Sequence, residues 1–258
     1  MAFPAPLRVL EAQARFYRRT WTGSVISTFL SPVLYLLAMG VGLGHLVDRG
    51  AGEARLGLPY LTFLAPALLA AAAMQAATGE ASYPVIRGIK WRRTYHAALA
   101  TPITVTDLTL GHLGWITVRL TFVTTVYAVV MTAFGATTPL QGLLAVPPGI
   151  LTGLAFAAPV TAYAAHLKDE IGLSTLFRFG IVPLFLFSGT FFPVSQLPAA
   201  VRPLAYLTPL WHGVSLCRGL ALGHGFVANP AVSVAYLMAW ILVGTILAVR
   251  FMRRRLVL

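Results

Sequence analysis

Long apolar runs are the feature that most constrains this chain. A helix needs about 20 apolar residues to cross a hydrocarbon core roughly 30 Å thick. Six runs reach that length, at roughly residues 24–47, 59–82, 108–134, 142–166, 173–193 and 231–250. Only 10% of the residues are charged, whereas soluble domains carry about 25%. The sequence therefore predicts an all-α polytopic membrane protein, with six transmembrane helices in a single domain over residues 1–258.

Basic residues are distributed unevenly around these runs. Most precede the first run, separate the second from the third, bracket the connection between the fourth and the fifth, or end the sixth: Arg8, Arg15, Arg18, Arg19, Arg87, Lys90, Arg92, Arg93, Lys168, Arg178, Arg250, Arg253, Arg254 and Arg255. Few lie on the opposite side: Arg49, Arg55, Arg202 and Arg218. Because cytoplasmic loops are enriched in lysine and arginine, we expect both termini in the cytoplasm.

The basic composition also bears on location and on partners. The net charge of +12 is dispersed over segments that flank the apolar runs, so it indicates topology rather than nucleic-acid binding. Arginine greatly outnumbers lysine, which is typical of high-GC bacterial genomes. The expected location is therefore a bacterial plasma (inner) membrane.

Two segments beside the apolar runs have patterns of their own. At about 100° per residue, the charged residues of segment 1–22 fall on one side of a helix, which predicts an interfacial amphipathic helix. Segment 86–102 is basic and aromatic, and it predicts a short helix that ends at Thr101-Pro102. It is long enough to serve as a docking element parallel to the membrane. Contact with anionic lipids is the alternative interpretation.

Residues 194–223 are too interrupted by proline to form another span. The fifth run is expected to stop at Pro193, because proline does not continue a helix. Ser195 suits the cap of a short helix that begins near Pro198, and Thr208 suits the cap of a second helix that ends at Gly223. We expect these two helices to form a re-entrant hairpin that covers the outer face.

The sequence contains little that could perform catalysis. Neither lysine ends a glycine-rich phosphate loop, so the chain lacks a Walker A motif for ATP hydrolysis. The six histidines and the single cysteine show no metal-ligand spacing. We therefore predict a protein that is not an enzyme and binds no cofactor or metal itself.

Charges inside the apolar runs are few. Glu80 is expected to pair with a basic neighbour. Arg119 either extends to the inner surface, forms an interhelical salt bridge or lies on a substrate path. An ion-coupled carrier or channel is the alternative function, although it needs acidic groups deeper in the membrane.

Gly40 and Gly44 have the small-xxx-small spacing that permits close helix approach.

The segment FLFSGTFFPVSQLPAAVRPLAYLTPLWHGVSLCRGL resembles the permease subunits of ABC-2 type exporters, in particular those of the nodulation-factor and daunorubicin type. The matching features, in order, are Ser188-Gly189, Phe192-Pro193, Leu197-Pro198, Pro209 and Arg218. The segment RTYHAALATPI resembles the coupling helix of that family. Thr208-Pro209 replaces the Asn-Pro of many relatives but preserves a helix cap. With the six runs, the resemblance covers nearly the whole chain.

The resemblance implies an exporter of hydrophobic or amphiphilic molecules, such as a drug, lipid or glycolipid. Two copies of this chain, or this chain and a paralogous permease, would bind two copies of a separate ATPase subunit, which holds ATP and Mg²⁺. The residues expected to couple to that ATPase are Arg87, Lys90, Trp91, Arg92, Arg93, Tyr95 and His96. Those of the outer gate are Phe192, Pro193, Leu197, Pro198 and Pro209.

The same resemblance implies that the first, second and fifth spans surround the substrate path, and the second and fifth would supply its aromatic lining. Such a path would be lined by phenylalanines and very little charge: Phe63, Phe177, Phe187 and Phe191. Aromatic residues at these positions serve equally well in plain helix packing, so both interpretations stay open. Membrane lipids are the other expected partner.

Overall fold

The computed structural model describes residues 4–19, 21–49 and 57–257, and every regular element in those ranges is helical. Arg55 and residues 1–3 and 20 of the predicted N-terminal helix lie outside the described residues. The helices are α1 (Ala5–Tyr17), α2 (Trp21–Arg49), α3 (Tyr60–Trp91), α4 (Thr94–Leu99), α5 (Val105–Ala133), α6 (Pro139–His166), α7 (Ile171–Phe187), α8 (Arg202–Tyr206), α9 (Pro209–Leu222) and α10 (Pro230–Leu256). A single 3₁₀ turn within those ranges covers Val194–Gln196.

Five of the described helices are long and apolar enough to cross a membrane: α2, α3, α5, α6 and α10. The predicted fifth run corresponds to α7, which is shorter because it ends at Phe187 instead of Pro193. Ser188 leaves the helical conformation, and Gly189 follows with φ +83°. Glycine adopts that left-handed conformation without a steric penalty, so the chain turns before the proline is reached.

Helix α3 extends beyond the predicted span. It bends at Ser82, whose backbone leaves the helical region, and continues through Pro84 to Trp91. Arg93 then adopts a left-handed conformation with φ 49°, and the short helix α4 follows. Segment 86–102 is therefore partly an extension of α3, and its second part ends just before Thr101-Pro102, as predicted.

Side chains cap the starts of α5 and α9, and both predicted ends of α9, at Thr208 and at Gly223, are confirmed. The Thr104 side chain accepts a hydrogen bond from the Asp107 backbone N–H (3.1 Å), and the Asp107 carboxylate accepts one from the Thr104 N–H (3.0 Å), which together form a capping box at α5. Thr208 caps α9, and Gly223 ends it with φ 76°.

The predicted start of the first short outer helix was wrong. Helix α8 begins at Arg202 instead of near Pro198, because residues 198–201 form a turn closed by the Val201 N–H on the Pro198 carbonyl at 2.9 Å. Ser195 lies in the 3₁₀ turn and makes no side-chain cap there.

The long helices alternate in direction between two ends of one bundle. We call one of them the basic end, because the exposed arginines of α1, of the end of α3 and of the end of α10 lie there. There a buried apolar cluster joins α1, the end of α3, α4, the start of α5, the end of α6, the start of α7 and the end of α10: Val9, Val85, Tyr95, Leu108, Ala164, Leu173 and Met252. At the opposite end α9 packs on α10, where His212 contacts Ser233 at 3.1 Å, and the Tyr236 hydroxyl of α10 donates to the Leu207 carbonyl between α8 and α9.

Glycine allows close approach at two helix contacts. A Cβ at Gly40 in α2 would lie 2.4 Å from Leu61 Cδ1 in α3, which supports the predicted role of the small-residue pair. A Cβ at Gly244 in α10 would lie 2.6 Å from the Pro159 nitrogen in α6, which is backbone. Helix α6 lies at the centre of the bundle and packs on α3, α5, α9 and α10, so this second contact holds α10 to the rest.

We expect Gly244→Ala to destabilise the protein by about 1–3 kcal/mol, the usual cost of an overpacked interior. The added methyl group would meet backbone, which cannot rotate away. Thermal unfolding of the purified protein measures this effect. Gly23→Ala in α2 is the matched control, because nothing lies within 4 Å of its Cβ position. Equal unfolding temperatures for the two variants would contradict the close α6–α10 contact.

Candidate functional site

The segment predicted to couple to an ATPase forms an exposed surface at the basic end, which we call the docking segment. Six of its seven predicted residues are exposed: Arg87, Lys90, Trp91, Arg92, Arg93 and His96. Trp91 is 54% exposed although it is a large apolar side chain. An exposed tryptophan among arginines is typical of a protein contact surface, because interfaces are enriched in both residues.

The seventh residue, Tyr95, is buried. Its ring lies over Gly88, where a Cβ would come within 2.8 Å of the ring carbons. Tyr95 belongs to the apolar cluster of the basic end and lies edge-on to His112, with ring centroids 6.5 Å apart. It therefore holds α4 against α3 and α5, and the exposed neighbours are oriented by it.

Helix α1 supports the docking segment from the side. Val9 packs against Gly111 of α5, where a Cβ would lie 2.6 Å from the valine Cβ. The guanidinium of Arg92 lies over the Phe16 ring at 5.5 Å. The charged residues predicted to share one side of α1 are exposed: Arg8, Glu11, Arg15, Arg18 and Arg19. Glu11 and Arg15 form an exposed ion pair at 2.7 Å.

The four predicted path phenylalanines do not share one surface. Phe63 is buried near the start of α3, and Phe177 is half-buried and stacks on Tyr83 at 6.3 Å near the basic end. Phe187 is 45% exposed. Phe191 contacts Phe185 edge-on at 5.0 Å, and its carbonyl accepts a hydrogen bond from the Tyr60 hydroxyl at 3.1 Å.

The predicted gate residues come together in the turn region between α7 and α9. Phe192 and Leu197 belong to one small apolar cluster with Ala205 and Trp211. Pro209 is buried at the start of α9, whereas Pro198 is exposed. The Ser188 and Thr208 hydroxyls lie 3.0 Å apart, which ties the end of α7 to the cap of α9.

Arg218 is a buried cation at this end of the bundle. Its side chain, on α9, donates from Nε to the Phe63 carbonyl (3.1 Å) and from Nη2 to the Gly189 carbonyl (3.0 Å). The guanidinium also lies over the Phe63 ring at 3.8 Å. Burial lowers the pKa of Arg218 to about 10, which leaves it charged at neutral pH. One arginine thus joins α9, the start of α3 and the turn after α7.

A second charged cluster lies within the bundle. Arg119 of α5 donates from Nε to the Glu80 carboxylate of α3 at 3.2 Å, and from Nη1 to the Tyr17 hydroxyl of α1. Its guanidinium also lies over the Tyr17 ring at 4.4 Å. Of the alternatives left open by the sequence, the structure favours the interhelical salt bridge. The pairing predicted for Glu80 is confirmed, and its partner is Arg119 rather than a neighbour in the sequence.

The helical bundle and its membrane-length apolar helices define a polytopic membrane protein, and comparison with known proteins makes its class specific. The sequence profile of the ABC-2 type transporter family matches residues 8–222. This chain therefore belongs to the ABC-2 type transporter family.

Similarity to individual proteins agrees with that assignment. The chain is 34% identical to Nodulation protein J of Rhizobium leguminosarum bv. viciae over 93% of this chain and 90% of that protein. It is 32% identical to Nodulation protein J of Rhizobium meliloti (strain 1021), over 93% and 89%. It is 21% identical to the inner membrane transport permease YadH of Escherichia coli (strain K12), over 88% of each chain.

Proposed function

We propose that this chain is the membrane-spanning permease subunit of an ATP-binding-cassette exporter. It moves a hydrophobic or amphiphilic substrate (a drug, lipid or glycolipid) outward, as a homodimer driven by two copies of a separate ATPase subunit that binds ATP and Mg²⁺. Family membership supports a transport role. The observation that carries the coupling to an ATPase is the docking segment, where tryptophan and arginine are exposed together on a helix end held rigidly by Tyr95.

The proposal includes a topology of six crossings with the basic end in the cytoplasm of a bacterial inner membrane. Helix α7 supplies the sixth crossing, because its 17 residues span about 25 Å at 1.5 Å per residue. Helix α1 lies along the inner surface as an interfacial helix, where the exposed arginines of the helix contact anionic lipids. Residues 194–223 form the re-entrant outer cap over the exit.

An ion-coupled carrier is less well supported. Such a carrier needs an acidic side chain that binds and releases the driving ion. Among the described residues, Glu80 is the acidic residue that lies away from the ends of a long helix, and it is held by Arg119 at 3.2 Å. The ion pair joins α3 to α5, which is a structural role for this carboxylate. The alternative therefore has no specific observation in its favour.

Reversing the charge at Arg92→Glu with Arg93→Glu is expected to reduce co-purification of the ATPase subunit by at least about tenfold, because placing like charges at an interface costs several kcal/mol. Both side chains are exposed and outside the long helices, so the permease itself should still fold. The measurement is affinity purification of the permease co-expressed with the ATPase, followed by quantification of both chains.

The matched control is Arg253→Glu with Arg254→Glu, which makes the same charge change at exposed positions of the basic end. Reporter fusions to both termini verify that neither double variant has inverted in the membrane. If the Arg92 and Arg93 variant retains its ATPase as well as the control does, the docking segment is not the coupling surface.

A further inference from the structure

An open pocket lies at the end of the bundle opposite the basic end, between the start of α3, the turn after α7 and α9. Its volume is about 380 Å³, within the range of roughly 300–1,000 Å³ that small-molecule sites occupy. Among the described residues of its wall, Arg218 is the one with a fixed charge, so we call this space the Arg218 pocket. Apolar side chains supply much of the remaining wall: Leu58, Phe63, Val194, Val214, Leu222 and Val227.

The Arg218 guanidinium has N–H groups that the described part of the protein does not use. Of its five N–H donors, one on Nε and one on Nη2 bond to the Phe63 and Gly189 carbonyls. The Phe63 ring, 3.8 Å away, contacts the guanidinium without occupying an N–H group. Two donors on Nη1 and one on Nη2 are left over. Together they form a planar fork that matches two oxygens of a carboxylate or phosphate.

The charge of Arg218 also has no acidic partner in the part of the chain that the structure describes. The two ion pairs within those ranges join other residues. Asp48 lies at this end of the bundle, but its carboxylate accepts the Tyr60 backbone N–H at 3.1 Å. Because Arg218 is only 7% exposed, water screens its charge poorly. A cation in such surroundings attracts an anion more strongly than an exposed cation does.

The rest of the pocket suits an anion that carries an organic group. The Ser215 hydroxyl oxygen accepts the Ala228 N–H at 3.0 Å, so its own hydrogen is left to donate. His224 is an exposed wall residue whose ring nitrogens add hydrogen-bonding capacity at the rim. Tyr206 and Trp211 pack edge-on at 4.9 Å and present aromatic surface to the same space. Donors and a buried cation thus lie beside an apolar and aromatic wall.

We propose that the Arg218 pocket binds an organic anion, with its carboxylate or phosphate head on Arg218 and its apolar or aromatic body on Tyr206 and Trp211. The anion balances the charge of the arginine that joins α9, the start of α3 and the turn after α7, so its binding stabilises this end of the bundle. This counter-ion site goes beyond the proposed transport function and does not require it. A soluble organic anion and the head group of a membrane phospholipid share this chemistry.

The test uses the purified full-length chain in micelles of an alkyl maltoside, which is uncharged and supplies no phosphate. The probe is phenyl phosphate, and calorimetric titration at low ionic strength measures its binding. We expect saturable binding. Phenyl β-glucoside, which keeps the ring but has no charge, should bind at least about tenfold more weakly, because hydrogen bonds between charged groups are the strong ones. At about ten times its half-saturating concentration, phenyl phosphate should raise the unfolding temperature by about 3–6 °C.

A charge introduced at an exposed wall residue locates the site. Val227 is 63% exposed, so Val227→Glu and its uncharged match Val227→Gln should both fold. Val227→Glu places a carboxylate beside the bound anion and should raise the half-saturating concentration at least about tenfold, whereas Val227→Gln should change it by less than about twofold. If Val227→Glu fails to fold, Ser195→Glu with Ser195→Gln, at another exposed wall residue, carries the same expectation.

A second control excludes binding at the basic end. Arg253→Glu with Arg254→Glu removes exposed positive charge there and should leave the half-saturating concentration unchanged within about twofold. A competition experiment then identifies the source of the anion. Displacement of phenyl phosphate by dihexanoyl phosphatidylglycerol would support the site and assign it to a lipid head group. Binding of phenyl phosphate that this lipid does not displace would support the site and assign it to a soluble anion.

Four outcomes would overturn the proposal. Three are the absence of saturable phenyl phosphate binding, equal binding by phenyl β-glucoside, and equal half-saturating concentrations for the glutamate and glutamine variants of the wall residue. The fourth is binding that appears only in Glu53→Gln, since Glu53, which lies outside the described residues, would then be the counter-ion. No ATPase is present in these measurements, so their result and that of the transport proposal are independent.

Discussion

Replacing Arg218 with methionine is expected to destabilise the protein by about 3–5 kcal/mol, since the guanidinium makes two charged hydrogen bonds worth about 1.5–3 kcal/mol each. The Phe63 and Gly189 carbonyls would lose their buried donor. The three segments that meet at Arg218 would then separate more easily. A dye that fluoresces on reaction with a thiol measures this directly, because Cys217, the single cysteine, is fully buried beside it.

Two controls make the result specific. Arg218→Lys keeps a positive charge but presents a single ammonium group in place of the planar fork, so it should recover only part of the stability. Arg250→Met removes an exposed arginine near the other end of the bundle and should change the free energy of unfolding by no more than about 0.5 kcal/mol. If Arg218→Met unfolds at the same temperature as Arg250→Met, Arg218 does not hold the outer segments together.

The Arg119–Glu80 pair should show strong coupling in a double-mutant cycle. Arg119→Met or Glu80→Met alone leaves one charge of a largely buried pair without its partner, which costs about 3–5 kcal/mol. The side chains are 13% and 28% exposed, so water compensates only in part. Replacing both with methionine removes both charges, and the double variant should be less destabilised than Arg119→Met alone. The same thiol-reactive dye follows unfolding.

Tyr17→Phe isolates the contribution of the hydroxyl that contacts Arg119. The substitution is expected to lower the free energy of unfolding by about 0.5–1.5 kcal/mol, which is well below the effect of either methionine variant.

Additive losses of unfolding free energy in the Arg119→Met and Glu80→Met cycle would mean that the two residues act independently, and the interhelical pair would then have no energetic role.

Local patterns in the sequence predicted the features that depend on local physics. Apolar runs identify the long helices because each must cover its own length with apolar residues. Thr208 acts as a cap as predicted, because a cap depends on its own backbone and the next three residues. The end of α9 at Gly223 follows from the left-handed conformation that glycine tolerates.

Tertiary contacts decided the features that the sequence did not predict. The turn at Gly189 ends α7, and it also places the Ser188 hydroxyl 3.0 Å from that of Thr208, which is 20 residues away in the sequence. Glu80 and Arg119 lie 39 residues apart, and nothing in either local pattern identifies the other. Tyr95 belonged to a predicted surface but is buried, because Gly88 leaves room for its ring. A glycine seven residues before an aromatic residue is a signal that could have been noticed.

The candidate site was predicted unevenly for the same reason. The docking segment stands out in the sequence because basic and aromatic residues between two spans have few alternative uses. The groove lined by Gln75, Tyr127 and Phe185 does not, since these residues belong to three different helices and each resembles an ordinary residue of a membrane helix. Only the packing of α2, α3, α5 and α7 brings them to one space.

The central claim is that this chain forms the transport path and a separate ATPase supplies the energy. Reconstitution into liposomes, with this chain and its ATPase subunit added singly or together, tests it most directly by measuring ATP turnover and ATP-dependent movement of a fluorescent amphiphile across the bilayer. We predict no ATP turnover by this chain alone and ATP-dependent movement only when both chains are present. Saturable ATP hydrolysis by this chain alone, or movement driven by an ion gradient without the ATPase, would contradict the account.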